Sequence, residues 1–161
     1  MKTIKLTPPR LPLLVLLLLF MFTGTSYAQS TTSDKEEPAT SKIEQLYKKV
    51  TCSNHKNQLE EEGFKYNRML KMEQTNCYIY SIDDEDISLY LYCYNKQAVH
   101  MAITMAQEDY IEVRDVTIKN KQFKKIKQTD TDSYFVKGAY TYIFNNKSST
   151  IGIREKTASD N

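Results

Sequence analysis

Ile87-Ser88-Leu89-Tyr90-Leu91-Tyr92-Cys93-Tyr94 is the stretch that decides how this chain folds. Its residues alternate with a period of two, placing Ile87, Leu89, Leu91 and Cys93 on one side and Tyr90, Tyr92 and Tyr94 on the other. Branched and aromatic side chains at that period mark a half-buried β-strand. The aliphatic side suits a helix-covered core, which leaves the three tyrosines on an open face.

Reading back toward the N-terminus, Asp83-Asp84-Glu85-Asp86 forms a polar turn, and Asn76-Cys77-Tyr78-Ile79-Tyr80 is a second strand able to pair with the first. The acidic turn lacks the spacing and distal glutamate of a calcium loop, so it reads as a solvated hairpin. If Ile82 pairs with Ser88, Cys77 and Cys93 stand directly opposite each other. Opposed Cβ atoms lie about 4.5–5.5 Å apart, near what a disulfide requires, and a Cys77–Cys93 bridge is the expectation. One residue of slippage would send the two to opposite faces. Cys52, in the helical segment, is then the alternative partner, and with three cysteines one thiol stays free.

Forward of the strand, residues 98–106 (AVHMAITMA) fit either a strand or a helix stripe. Comparison of the two halves of the chain favours the strand. After Phe64 come Asn76 to Tyr80, Leu89 to Asn95, Lys96 and the alternating Val99, Met101 and Ile103. After Phe123 come Asp132 to Val136, Tyr140 to Asn145, then Asn146-Lys147 and the alternating Ile151 and Ile153. The segments match in order, and an Asn-Lys turn precedes the last strand of each half. Residues 107–120 then form the second half's helix, with Glu108 and Asp109 in its first turn and Lys119 and Lys121 at its end.

The first half opens with helical segments. Ser41-x-x-Glu44 has capping-box form, and Ile43, Leu46, Tyr47 and Val50 share one helical face. A break is expected over Thr51-Cys52-Ser53-Asn54, followed by a short helix stopped by Gly63.

The fold class expected is therefore α+β: a tandem repeat of helical segment plus antiparallel meander, joined in one curved antiparallel sheet with helices on one face. The repeats span residues 41–106 and 107–154. This layout resembles tandem helix-plus-meander domains of the β-lactamase inhibitor protein kind, an architectural likeness carried by element order rather than by a shared motif.

At the N-terminus, Lys2, Lys5 and Arg10 precede the apolar run 11–22, and Ser26 and Ala28 supply small residues at −3 and −1. That is a secretory signal peptide, residues 1–28, cleaved after Ala28. The run falls short of the roughly 20 apolar residues of a membrane span, so no integral membrane segment is expected after cleavage. Gln29 stands where a lipoprotein would need cysteine. Residues 29–40 read as a disordered leader and residues 155–161 as a flexible tail.

The formal charge of +2 belongs to the signal, whose three cations carry it; without them it is −1. A near-neutral chain argues against nucleic-acid binding. The lysines at 119, 121, 124, 125 and 127 fit either a surface for an anionic partner or membrane or, equally well, a guarded sheet edge. His55 and His100 are too few and too far apart for a metal site of recognised spacing. No catalytic or cofactor motif is present, and Asn146-Lys147-Ser148 is a glycosylation sequon.

The functional expectation is a secreted or periplasmic, non-enzymatic binding or inhibitor-like module. Its open sheet face, centred on Tyr90, Tyr92 and Tyr94, would contact another envelope or secreted protein, because tyrosine brings large contact area at low entropic cost. Oligomeric state is not read from the sequence. The competing expectations are a small thiol hydrolase using Cys52 and His55, and a glycan- or peptidoglycan-binding envelope component.

Overall fold

A computed structural model describes residues 39–83 and 85–160. Residues 1–28, expected to be a signal peptide, and residues 29–38 of the expected leader lie outside the described residues. The elements run α1 (Ala39–Lys49), α2 (His55–Glu61), β1 (Lys65–Lys71), β2 (Thr75–Ile82), β3 (Ile87–Tyr94), β4 (Gln97–Thr104), α3 (Gln107–Lys119), β5 (Lys124–Gln128), β6 (Asp132–Lys137), β7 (Tyr140–Asn145) and β8 (Thr150–Glu155). A 3₁₀ turn follows at Ala158–Asp160.

The strands form one curved antiparallel sheet in the order β1-β2-β3-β4-β8-β7-β6-β5, which makes the fold α+β. Each run of four is a meander, and the two meet where β4 pairs with β8. The ambiguous residues 98–106 thus supply a strand, and 107–120 a helix.

Strand β3 alternates as the sequence requires: Ile87, Leu89, Leu91 and Cys93 are buried, Tyr90 and Tyr92 are half-buried, and Tyr94 is exposed. Rows of paired residues carry that buried face across the sheet. Tyr80, Leu89, Ile103, Ile151 and Phe144 form one row, and Leu91, Met101, Ile153 and Tyr142 another. All these side chains except Ile103 are fully buried, and Ile103 nearly so. The helices cover this face: Glu44 of α1 reaches Tyr142, His55 of α2 reaches Tyr80, and Tyr110 of α3 packs on Phe144.

Local chemistry sets the element ends. Asn54 stops α1 by accepting the Thr51 amide at 2.7 Å and donating to the Lys49 carbonyl. Gly63 leaves α2 at φ +86°, a left-handed conformation that only glycine adopts freely. Asn95 and Lys96, both at positive φ, make the two-residue turn into β4.

Four expectations change. Ala39 and Thr40, expected in the disordered leader, belong to helix α1, and Thr40 is buried. Ser41 then lies inside the first turn and cannot cap; Glu44 turns to Lys48, Lys137 and Tyr142 instead. Ile82 pairs with Ile87 rather than Ser88, because a four-residue turn lets both isoleucines face the core. That single step puts Cys77 opposite Tyr92 on the other face, and the bridge joins Cys52 to Cys93, leaving Cys77 a free, buried thiol. Finally, the C-terminal residues are tied down: Asp160, expected in a flexible tail, is buried and held by Arg154 Nη1 at 2.6 Å and Nη2 at 2.8 Å.

The two meanders correspond in detail. Buried Phe64 and Phe123 each precede an edge strand, and each edge strand carries a bulge after its second residue, at Tyr66/Arg68 and at Lys125/Lys127. The central pairs Met101 with Ile153 and Ile103 with Ile151 flank Ala102 opposite Gly152. Laying Met101 on Ile151 and Ile103 on Ile153 exchanges these pairs, so the register has two-fold symmetry about the Ala102–Gly152 pair.

Candidate functional site

The face of the sheet away from the helices carries the candidate site. Alternation in β3 turns Tyr90, Tyr92 and Tyr94 there, and register assigns their neighbours. Tyr90 stands between Ile79 and Ala102, Tyr92 between Cys77 and His100, and Tyr94 between Thr75 and Gln97. The three expected tyrosines therefore share one face.

That face is not bare. Ile79, Ala102 and the Cys77 thiol are buried between larger neighbours, with Tyr90 and Tyr92 standing above them. Burial raises the Cys77 pKa, which keeps it a thiol rather than a thiolate; a hydrogen bond with Tyr92 offsets part of the shift. Burial likewise raises Tyr92. Along this row the groups presented are tyrosine rings and hydroxyls beside a thiol whose raised pKa works against the thiolate form.

Next along the same row, His100 lies 5.4 Å from Tyr92 between ring centroids. It reaches across Gly152, where a Cβ would come within 2.6 Å of its Cε1 atom, so only glycine leaves the ring room. Burial first, and the charge of Arg154 second, push the His100 pKa down to about 4. Arg154 is engaged in turn by Asp160, whose carboxylate also accepts from Thr141 Oγ1 at 3.1 Å and from the Thr157 amide at 2.8 Å. The C-terminal turn thereby covers fully buried Thr141 on this face. The second half of the face is partly covered in this way, while in the first half Tyr90 and Tyr92 are half-buried and Tyr94 is exposed.

The His100 shift makes stability depend on pH. A free histidine protonates near 6.5 and His100 only near 4, so between those values the unfolded chain binds a proton that the folded chain refuses. Stability should fall as pH drops from about 6.5 to 4, by at most about 3 kcal/mol from this residue. Urea unfolding at pH 7 and pH 5 should show a smaller loss for His100→Gln than for wild type. The remaining loss in the variant includes His55, whose pKa burial also lowers.

The other sequence-marked residues are dispersed. Cys52 is bridged, and His55 shares a hydrogen bond through Nδ1 with the Tyr80 hydroxyl while its ring stacks 4.1 Å from Tyr78. The pair thus presents no thiol to the imidazole. Lys124, Lys125 and Lys127 line edge strand β5, and Lys119 ends α3. Among the described residues no group of three or more His, Cys, Asp or Glu could hold a metal ion.

Sequence reading missed His100, Leu70 and Met72. His100 has the parity of the tyrosine face once Tyr92 is set opposite it. Leu70, opposite Cys77, is 44% exposed, and Met72 just beyond the strand is 53% exposed. Nothing in the local pattern of β1 marked these two.

Comparison of the chain with known protein families, with curated proteins and with solved structures finds no match.

Proposed function

We propose that this chain is an exported, non-enzymatic binding module of doubled design, whose open sheet face contacts another envelope or secreted protein. The observation that carries the reading is the stripe Tyr90, Tyr92 and Tyr94 on the uncovered half of the sheet, flanked by Leu70 and His100. Large amphipathic rings on a rigid strand lose little entropy when a partner settles on them. The Cys52–Cys93 bridge and the lack of a membrane-spanning helix among the described residues are compatible with work outside the cytoplasm. The same bridge weighs against a thiol hydrolase built on Cys52.

A tandem duplication accounts for the paired bulges, the paired phenylalanines and the two-fold register about Ala102 and Gly152. In this reading one copy kept or gained the tyrosines: the β7 residues whose register corresponds to Tyr90 and Tyr92 are Ile143 and Asn145.

Replacing Tyr90, Tyr92 and Tyr94 together by serine should weaken capture of the bound partner from envelope and secreted fractions about 100-fold or more, since central aromatic anchors each contribute about 2 kcal/mol. Circular dichroism should stay unchanged, because none of the three rings belongs to the helix-covered core. Undiminished capture by the folded variant would overturn the proposal.

A further inference from the structure

The two edges of the sheet are both basic and otherwise unlike. β1 carries Lys65, Arg68 and Lys71, and β5 carries Lys124, Lys125 and Lys127, with no acid on either. On β5 the lysines guard an edge whose single apolar residue, Ile126, is half-buried. On β1 all seven residues are exposed, and Tyr66, Met69 and Leu70 are each more than 40% accessible. A strand with one unpaired edge and apolar side chains on both faces is a template for another strand.

We propose that β1 accepts an added strand from a different, acidic polypeptide. A second copy of this chain is the wrong occupant, because any edge-to-edge pairing of two copies brings three cations against three cations, and like charges across a ladder repel. The register specifies the guest. Lys65 is already paired with Asp83, while Arg68 and Lys71 have no acidic partner among the described residues. Beyond the bulge, Arg68 and Leu70 share the tyrosine face, opposite Ile79 and Cys77, and Met69 and Lys71 share the helix face, opposite Tyr78 and Asn76. A guest strand must therefore set acids beside Arg68 and Lys71 and apolar residues beside Met69, Leu70 and Met72. Read antiparallel, that pattern is apolar, acid, apolar, apolar, acid. This surface is the edge of the sheet and not the tyrosine stripe, so the two readings stand or fall separately.

The test uses a fluorescein-labelled peptide, Thr-Val-Glu-Val-Val-Glu-Thr, titrated with the full chain and read by anisotropy and by amide hydrogen exchange. The peptide should bind and protect amides of residues 65–72, and Arg68→Glu with Lys71→Glu should weaken it by about tenfold or more. A peptide with lysine in place of both glutamates, and one with proline at the middle valine, should not bind. The triple serine variant of the tyrosine stripe should bind the acidic peptide as wild type does. Absence of binding, equal binding of the lysine peptide, or protection confined to β3 would overturn the proposal. So would a dimer in sedimentation that the two charge reversals abolish, because the edge would then belong to a second copy.

Discussion

Replacing Cys52 and Cys93 together by serine should lower the unfolding free energy by about 4 kcal/mol, the largest loss expected from any change described for this chain. The bridge spans a sequence separation of 41 residues, and closing a loop of that length removes roughly this much free energy from the unfolded ensemble. Against a typical total of about 5–15 kcal/mol, the loss is a large fraction. Structurally, the bridge fastens the loop between α1 and α2 to the C-terminal end of β3, so both helices should loosen together. Urea unfolding of oxidised wild type, reduced wild type and the double serine variant is the direct measurement. The last two should coincide, and a difference from oxidised wild type below about 1 kcal/mol would contradict the account. Peptide mapping of the unreduced protein should link Cys52 to Cys93 and find Cys77 free.

The second large effect belongs to Glu44. Its carboxylate accepts from the Tyr142 hydroxyl at 2.7 Å, from Lys48 at 2.6 Å and from Lys137 at 3.3 Å, tying α1 to the second meander. Burial pushes this carboxyl up, but the hydrogen bonds of Lys48 and Tyr142 and the charge of Lys137 outweigh it and hold it below its ordinary value. Tyr142 is fully buried, so Glu44→Ala strands its hydroxyl away from water. An orphaned buried donor costs about 1–3 kcal/mol, and the freed lysines add to it. The expected total is about 3 kcal/mol. Glu44→Gln, which keeps an acceptor, should cost less. In a Tyr142→Phe background the cost of Glu44→Ala should shrink, since no hydroxyl remains to be stranded; full additivity would show that Tyr142 plays no part.

The capping-box reading of Glu44 shows where local pattern ends. Ser41 and Glu44 have the right spacing, but helix formation two residues earlier and a buried tyrosine needing an acceptor reassign the glutamate. Cys77 and Cys93 teach the same lesson. Both lie on neighbouring strands, and a one-residue difference in turn length decided whether they meet. Turn length is a small free-energy choice locally, and it was settled by the need of Ile82 and Ile87 to face the helices together. His100 and Leu70 became part of the candidate face only through pairing with Tyr92 and Cys77, across strands that sequence places at varying distances.

Period-two alternation in β3, the matched order of segments in the two halves and the glycine and asparagine stops were written in the sequence. They determined the α+β class, the strands and helices, and which side of β3 bears tyrosine. These are short-range consequences of side-chain shape and apolar spacing, so neighbouring residues suffice to specify them. Tertiary structure alone decided which cysteines bond, which partners Glu44 takes, that the C-terminal turn packs over Thr141 and Arg154, and that β1 is left as an exposed basic and apolar edge. Each of these depends on what lies across a strand or over a sheet, where burial and unpaired polar groups are settled between residues far apart in the chain.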